Sequence, residues 1–217
     1  RVHRMPEEEA PYAEMFKEMH IAPIMGRDKD LFLHSKGIIS NCMEYAECSK
    51  IPLMTIADYL WNPLAYDPDE SLKNAHKEML GDNAESFFYF ADHLGVSCLT
   101  RYSSSYMGQI LSDVSFLEAN EEKEKALELL SSYISDMRNC LTLISDTSVP
   151  LFAELQKWVR KFSMCCDLLD DIYEAKTNPS QENKDHLFEE LQKYNSDGTI
   201  LTGFCLREMA EKTLLNM

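Results

Sequence analysis

Two short stretches carry side chains whose type and spacing could do chemistry. The first is Gly37-Ile-Ile-Ser-Asn41, an apolar pentapeptide that ends on an amide. Its two β-branched isoleucines favour a short buried strand, and Ser40-Asn41 punctuates it. An amide both donates and accepts, as recognition of a hydroxyl-bearing ligand requires. Read from the residues alone, Asn41 is better explained as a strand-end turn or a helix cap. The second is the adjacent carboxylate pair Asp170-Asp171. It lies inside a strongly periodic helical pattern in which Ile172 belongs to the buried seam, so both carboxylates are expected to face outward or flank that seam as solvated charge. No catalytic residue is assigned. The 7 cysteines (42, 48, 98, 140, 165, 166 and 205) form no Cys-x-x-Cys pair and lie mostly on apolar helical faces. There they act as small hydrophobes, so neither a metal site nor a disulfide framework is expected. The histidines are scattered: His76 and His93 lie on helices with no ligand at metal spacing. Neither a Ser-His-Asp set nor a phosphate-cradling glycine loop is present, and no cofactor is expected.

The elements that must position these residues can be read from punctuation and periodicity. A helical segment at Met43 to Cys48 is expected to stop before Ile51-Pro52. A second helix should run from Pro52 to Leu60 and end at Trp61-Asn62-Pro63, because proline suits a first helical turn and the residue before proline leaves the helical region. Trp61 and Tyr66 read as a buried packing junction rather than a ligand platform. A turn of helix is expected near Tyr12 to Met19. Past Pro68 the pattern is helical throughout, with expected helices at Asp69–Leu80, Asn83–Leu94, Ser105–Leu117, Glu121–Ser145, Val149–Ala175, Gln181–Tyr194 and Thr199–Leu215. In the longest, Leu151, Leu155, Trp158, Phe162, Cys165, Leu169 and Ile172 alternate by four and three, which keeps one seam facing a partner helix. Thr147-Ser148-Val149-Pro150 reads as a tight turn, so this helix and its predecessor should pack antiparallel.

The stretch KGIISNCMEYAECSKIPLMTIADYLWNPLAYDPDESLKNAHKEM, from Lys36 to Met79, resembles the segment that closes the catalytic barrel of glycoside hydrolase family 84. That family comprises hyaluronidase-like β-N-acetylglucosaminidases and O-GlcNAc hydrolases. The matching features are Ser40-Asn41 after the apolar strand, Ala46-Glu47-Cys48-Ser49-Lys50-Ile51, and Ala57-Asp58-Tyr59-Leu60-Trp61-Asn62-Pro63. Met19 to Asp28 (MHIAPIMGRD) and Thr199 to Glu211 (TILTGFCLREMAE) are similar to further segments of the family. The resemblance implies a mainly α chain: a C-terminal helical bundle (67–217) preceded by a remnant (1–66) of the last strand–helix units of a (β/α)8-type barrel. It further implies a retaining mechanism in which the substrate's own acetamido oxygen attacks the anomeric carbon, assisted by two adjacent aspartates, an exception to the two-carboxylate scheme. In the family that pair lies upstream of the matched segment. Asn41 then stands where the family binds the N-acetylglucosamine ring, and Ala10 and Pro11 stand where a second sugar-binding residue, an aspartate, is expected. Opening on Arg1, the chain reads as cut from something longer and as inactive alone, with residues 1–66 irregular or rearranged without their barrel neighbours. The other reading is a stand-alone helical interaction module descended from such an enzyme.

At 217 residues the chain can bury a sizeable core. Its net charge of −16 argues against nucleic acid or an anionic membrane as partner. The partners implied by the resemblance are a glycan or glycoprotein carrying N-acetylglucosamine and the rest of the barrel. No apolar run approaches the roughly 18 residues of a membrane span, and no signal-peptide pattern opens the chain, which leaves its localisation open.

Overall fold

Helix signals in the sequence become helices wherever a cap and an apolar stripe coincide. The computed structural model describes residues 18–95, 105–201 and 204–217. Ten α-helices occur among the described residues: α1 (Leu31–His34), α2 (Ala46–Trp61), α3 (Pro68–Leu80), α4 (Ala84–Ala91), α5 (Ser105–Ala119), α6 (Lys123–Ile144), α7 (Pro150–Glu154), α8 (Gln156–Thr177), α9 (Gln181–Ser196) and α10 (Cys205–Asn216). The Asp67 carboxylate accepts the Glu70 N–H at 3.0 Å and Pro68 takes the first turn of α3. Ser180 caps α9 in the same way, accepting the Asn183 N–H at 3.1 Å. Gly81 ends α3 at φ +57°, where a side chain would be strained.

α6 and α8 are the spine of the bundle. α6 packs on α4, α5 and α8, while α8 packs on α9 and α10 as well. Every seam residue from Leu151 to Ile172 is buried. The two helices run antiparallel: the Gln156 side chain reaches the Ile144 carbonyl near the turn, and Arg138 meets Asp167 and Asp170 farther along. Phe162 sits edge-on to both Phe90 (5.1 Å) and His93 (5.3 Å), joining α8 to α4 and the turn after α4. The buried Lys161 turns its ammonium to the Tyr194 and Asp197 carbonyls and lies 3.6 Å from the Tyr194 ring centroid, tying α8 to the end of α9. Burial there lowers its pKa.

Several expectations are corrected. The single helix expected from Val149 is broken at Leu155, where the Leu155 N–H takes the Phe152 carbonyl at 3.2 Å in a tighter turn and the Gln156 side-chain amide shares that carbonyl at 2.9 Å. Conversely, the two helices expected on either side of Ile51-Pro52 are one, with Pro52 inside it. Thr55 donates its hydroxyl to the Pro52 carbonyl at 2.8 Å, and burial of Cys48, Ile51, Thr55 and Tyr59 along one side offsets the interior proline. The last helix starts at Cys205 rather than Thr199, where the Thr199 N–H instead bonds the Asp197 carboxylate at 2.8 Å. No strand is present among the described residues, and Gly37–Ser40, read as a buried strand only in the barrel and as irregular without it, is exposed here, Ile39 at 99%. A strand needs a neighbour for its N–H and C=O groups, and none of the described elements supplies one. Trp61, expected to be buried, is 91% exposed. Most of the helical turn expected near Tyr12 lies outside the described residues, as do Ala10, Pro11 and Cys98.

Candidate functional site

Asn41 is exposed in the irregular segment between α1 and α2. The chain just after it is firmly held. Ser49, on the first turn of α2, donates its hydroxyl to the Tyr45 carbonyl (2.8 Å) and also reaches the Met43 carbonyl (3.3 Å). The Tyr45 ring stands edge-on to the buried Trp158 of α8 at 5.5 Å. The Cys48 N–H, one of the donors that a helix start leaves unsatisfied, bonds the Glu154 carboxylate of α7 at 3.0 Å. Burial pushes the Cys48 thiol pKa up, and the Glu154 carboxylate beside it pushes further in the same direction. Thus Asn41 precedes by two residues a backbone that the bundle clamps from the side.

α2 is apolar on two faces. One face carries the buried Cys48, Ile51, Thr55 and Tyr59 toward α3 and α7. On the other, Leu53, Ala57 and Leu60 follow Ala46 and Lys50 at alternating steps of four and three, all five exposed, and the exposed Leu64 lies in the turn just past the helix. The exposed Phe32, Leu33, Ile39 and Trp61 lie in the same stretch of chain. A shallow depression there is lined by Phe32, Ile38, Tyr59, Leu60 and Pro63. A helix apolar on both sides is normally covered on both sides. Being exposed, Leu60 and Leu64 are expected to change the unfolding free energy of this chain by no more than about 0.5 kcal/mol each when replaced by serine, as measured by urea denaturation.

The remaining candidates each have a neighbour in the fold. Asp170 is held by Arg138 of α6, and Asp171 lies 3.3 Å from His186 of α9, so the two carboxylates serve opposite neighbours. Burial raises the pKa of Asp171. Among the described residues no group of three or more potential ligands could hold a metal ion, and no helix is long and apolar enough to cross a membrane. Cys42, Cys48, Cys140, Cys165 and Cys166 are free thiols. His76 and His93 are buried against Phe87 and Phe162 rather than placed for ligation. Sequence reasoning missed the Glu154 and Trp158 clamps, which bridge positions more than 100 residues apart. The outward stripe of α2 was legible in its spacing, had proline not divided the segment.

A sequence model described as beta-N-acetylglucosaminidase matches residues 11–92. Among solved structures, a mutant of Thermobaculum terrenum O-GlcNAc hydrolase is similar with a TM-score of 0.84 at 26% identity, over 93% of this chain and 46% of that one. CpGH84B is similar with a TM-score of 0.76 at 20% identity, over 91% of this chain and 37% of that one. The chain therefore spans less than half the length of either structure.

Proposed function

We propose that this chain, which carries the sequence of glycoside hydrolase family 84 over residues 11–92 and the fold of an O-GlcNAc hydrolase, forms the C-terminal part of a retaining, substrate-assisted β-N-acetylglucosaminidase. The observation that carries this reading is the second apolar face of α2, continuous in sequence with the exposed 31–41 segment. In the assembled enzyme residues up to about 66 close the barrel and residues 67–217 support it from outside. With a barrel present, the backbone groups of Gly37–Ser40 gain strand partners and Leu53, Leu60, Trp61 and Leu64 lose their contact with water. Such burial contributes about 25 cal/mol per Å² of apolar surface.

The division of labour comes from the chemistry. The acetamido oxygen of a terminal N-acetylglucosamine attacks the anomeric carbon and displaces the aglycone. One aspartate of the barrel orients the acetamido group and its neighbour protonates the leaving oxygen, then deprotonates the water that opens the intermediate. This chain contributes the Asn41 amide, which hydrogen-bonds a ring hydroxyl and fixes the sugar at the barrel mouth. The substrate is a glycan or glycoprotein ending in that sugar.

The test is to join this chain to a barrel segment carrying adjacent aspartates and assay an aryl N-acetyl-β-glucosaminide. The joined protein is expected to release N-acetylglucosamine with the β configuration first formed, and this chain alone to release none. A folded but inactive joined protein contradicts the reading. The same apolar stripe would serve a free-standing interaction module as a seam between two copies. Concentration-dependent dimerisation of this chain that Leu60→Ser and Leu64→Ser abolish, together with an inactive joined protein, would favour that second reading.

A further inference from the structure

We infer that Glu154 and Trp158, at the start of the bundle's second long hairpin arm, are positioning residues for Asn41. This rests on the proposed role of Asn41 in sugar binding and adds that the bundle sets the geometry of that contact. Glu154 holds the first turn of α2 by accepting the Cys48 N–H at 3.0 Å, where a carboxylate also meets the positive end of the helix. Trp158 holds Tyr45, the residue just before α2, through the edge-on ring contact at 5.5 Å. Ser49 then passes both restraints back along the chain, binding the Tyr45 and Met43 carbonyls. Met43 itself packs on the core. Two residues earlier Asn41 is exposed, in a segment that takes up no helix or strand of its own. Its placement is therefore determined from the Met43 side. The two clamping residues come from α7 and α8, more than 100 positions away in sequence, so the bundle acts on the site without touching substrate.

The test uses amide exchange and NMR on this chain, and kinetics on the joined protein. Glu154→Ala is expected to speed exchange at the Cys48 amide about tenfold, and to shift the Asn41 side-chain amide resonances. Glu154→Gln, which keeps an acceptor oxygen, should give a smaller change in both. Trp158→Phe should move the Asn41 resonances with little change at Cys48. In the joined protein Glu154→Ala is expected to raise KM for the aryl glycoside several-fold with kcat nearly unchanged, and to add little once Asn41 is alanine. Unchanged Asn41 resonances in Glu154→Ala would overturn the inference, as would effects of Glu154→Ala and Asn41→Ala on KM that simply add. If Asn41→Ala itself leaves KM unchanged, the proposed sugar contact fails, while the exchange and resonance data still decide whether the bundle places Asn41.

Discussion

Taking this chain from pH 7 to pH 4 is expected to remove on the order of 5 kcal/mol of folding stability through His76 and His93 alone. His93 is 1% exposed, and neither of its ring nitrogens has a hydrogen-bond partner among the described residues. It lies edge-on to Phe162, whose ring offers no hydrogen-bond acceptor to a charged imidazole. His76, at 4% exposure, leaves its Nε2 unpartnered and faces Phe87 at 5.1 Å. Burial lowers His93 from 6.5 to about 3 and His76 from 6.5 to about 4. The unfolded chain therefore binds protons below about pH 6.5 that the folded chain refuses. The stabilising difference is whole above that value and is lost as pH falls toward 4, at about 1.4 kcal/mol per pH unit for each histidine. Urea denaturation at pH 7 and pH 4 measures it. Replacing both histidines by phenylalanine should flatten the profile between these values. A double variant as acid-sensitive as the parent would show that the loss lies elsewhere.

Phe162→Ala carries a large expected loss of stability, about 3–5 kcal/mol. Its ring is fully buried where α4, α8 and the turn after α4 meet, against Phe90 at 5.1 Å and His93 at 5.3 Å. The gap cannot collapse easily, because the spine helices on either side are held by the Arg138 interactions with Asp167 and Asp170 and by Lys161 with the end of α9. Phe162→Leu should cost much less, since most of the volume stays. The midpoint of urea unfolding, at constant slope, reports both. A loss below about 1 kcal/mol for Phe162→Ala would mean that the site repacks.

The legible part of the sequence was the part that local chemistry decides. Asp67, Pro68 and Gly81 delimit α3 within one residue of expectation, and the four-three alternation from Leu151 to Ile172 marked the buried seam of α7 and α8 correctly. The resemblance was carried by contiguous residues and is matched over 11–92. Local rules failed where tertiary contacts outvote them. Pro52 should have started a helix, yet the contacts of Cys48, Ile51, Thr55 and Tyr59 carry α2 straight through it. Val149 to Ala175 should have been unbroken, yet a tighter turn at Leu155, its carbonyl partner Phe152 shared with the Gln156 side chain, divides it. Trp61 was expected to be buried because its residue type is made for burial, and among the described elements nothing covers it, while Gly37 to Ser40, a strand only where barrel neighbours pair with it, is exposed and irregular as expected without them. The Glu154 and Trp158 anchors could not be read from sequence, since no periodicity links positions so far apart.

The central claim, that this chain completes the sugar site of a β-N-acetylglucosaminidase through Asn41, is tested most directly by kcat/KM in the joined protein. Asn41→Ala should lower kcat/KM for the aryl N-acetyl-β-glucosaminide by about 10²-fold, as expected when a buried polar contact to substrate is lost. Asp170→Asn and Asp171→Asn, whose carboxylates serve Arg138 and His186, should leave it within about twofold. Full activity in Asn41→Ala, or loss of activity in either aspartate variant with the fold intact, would contradict the account.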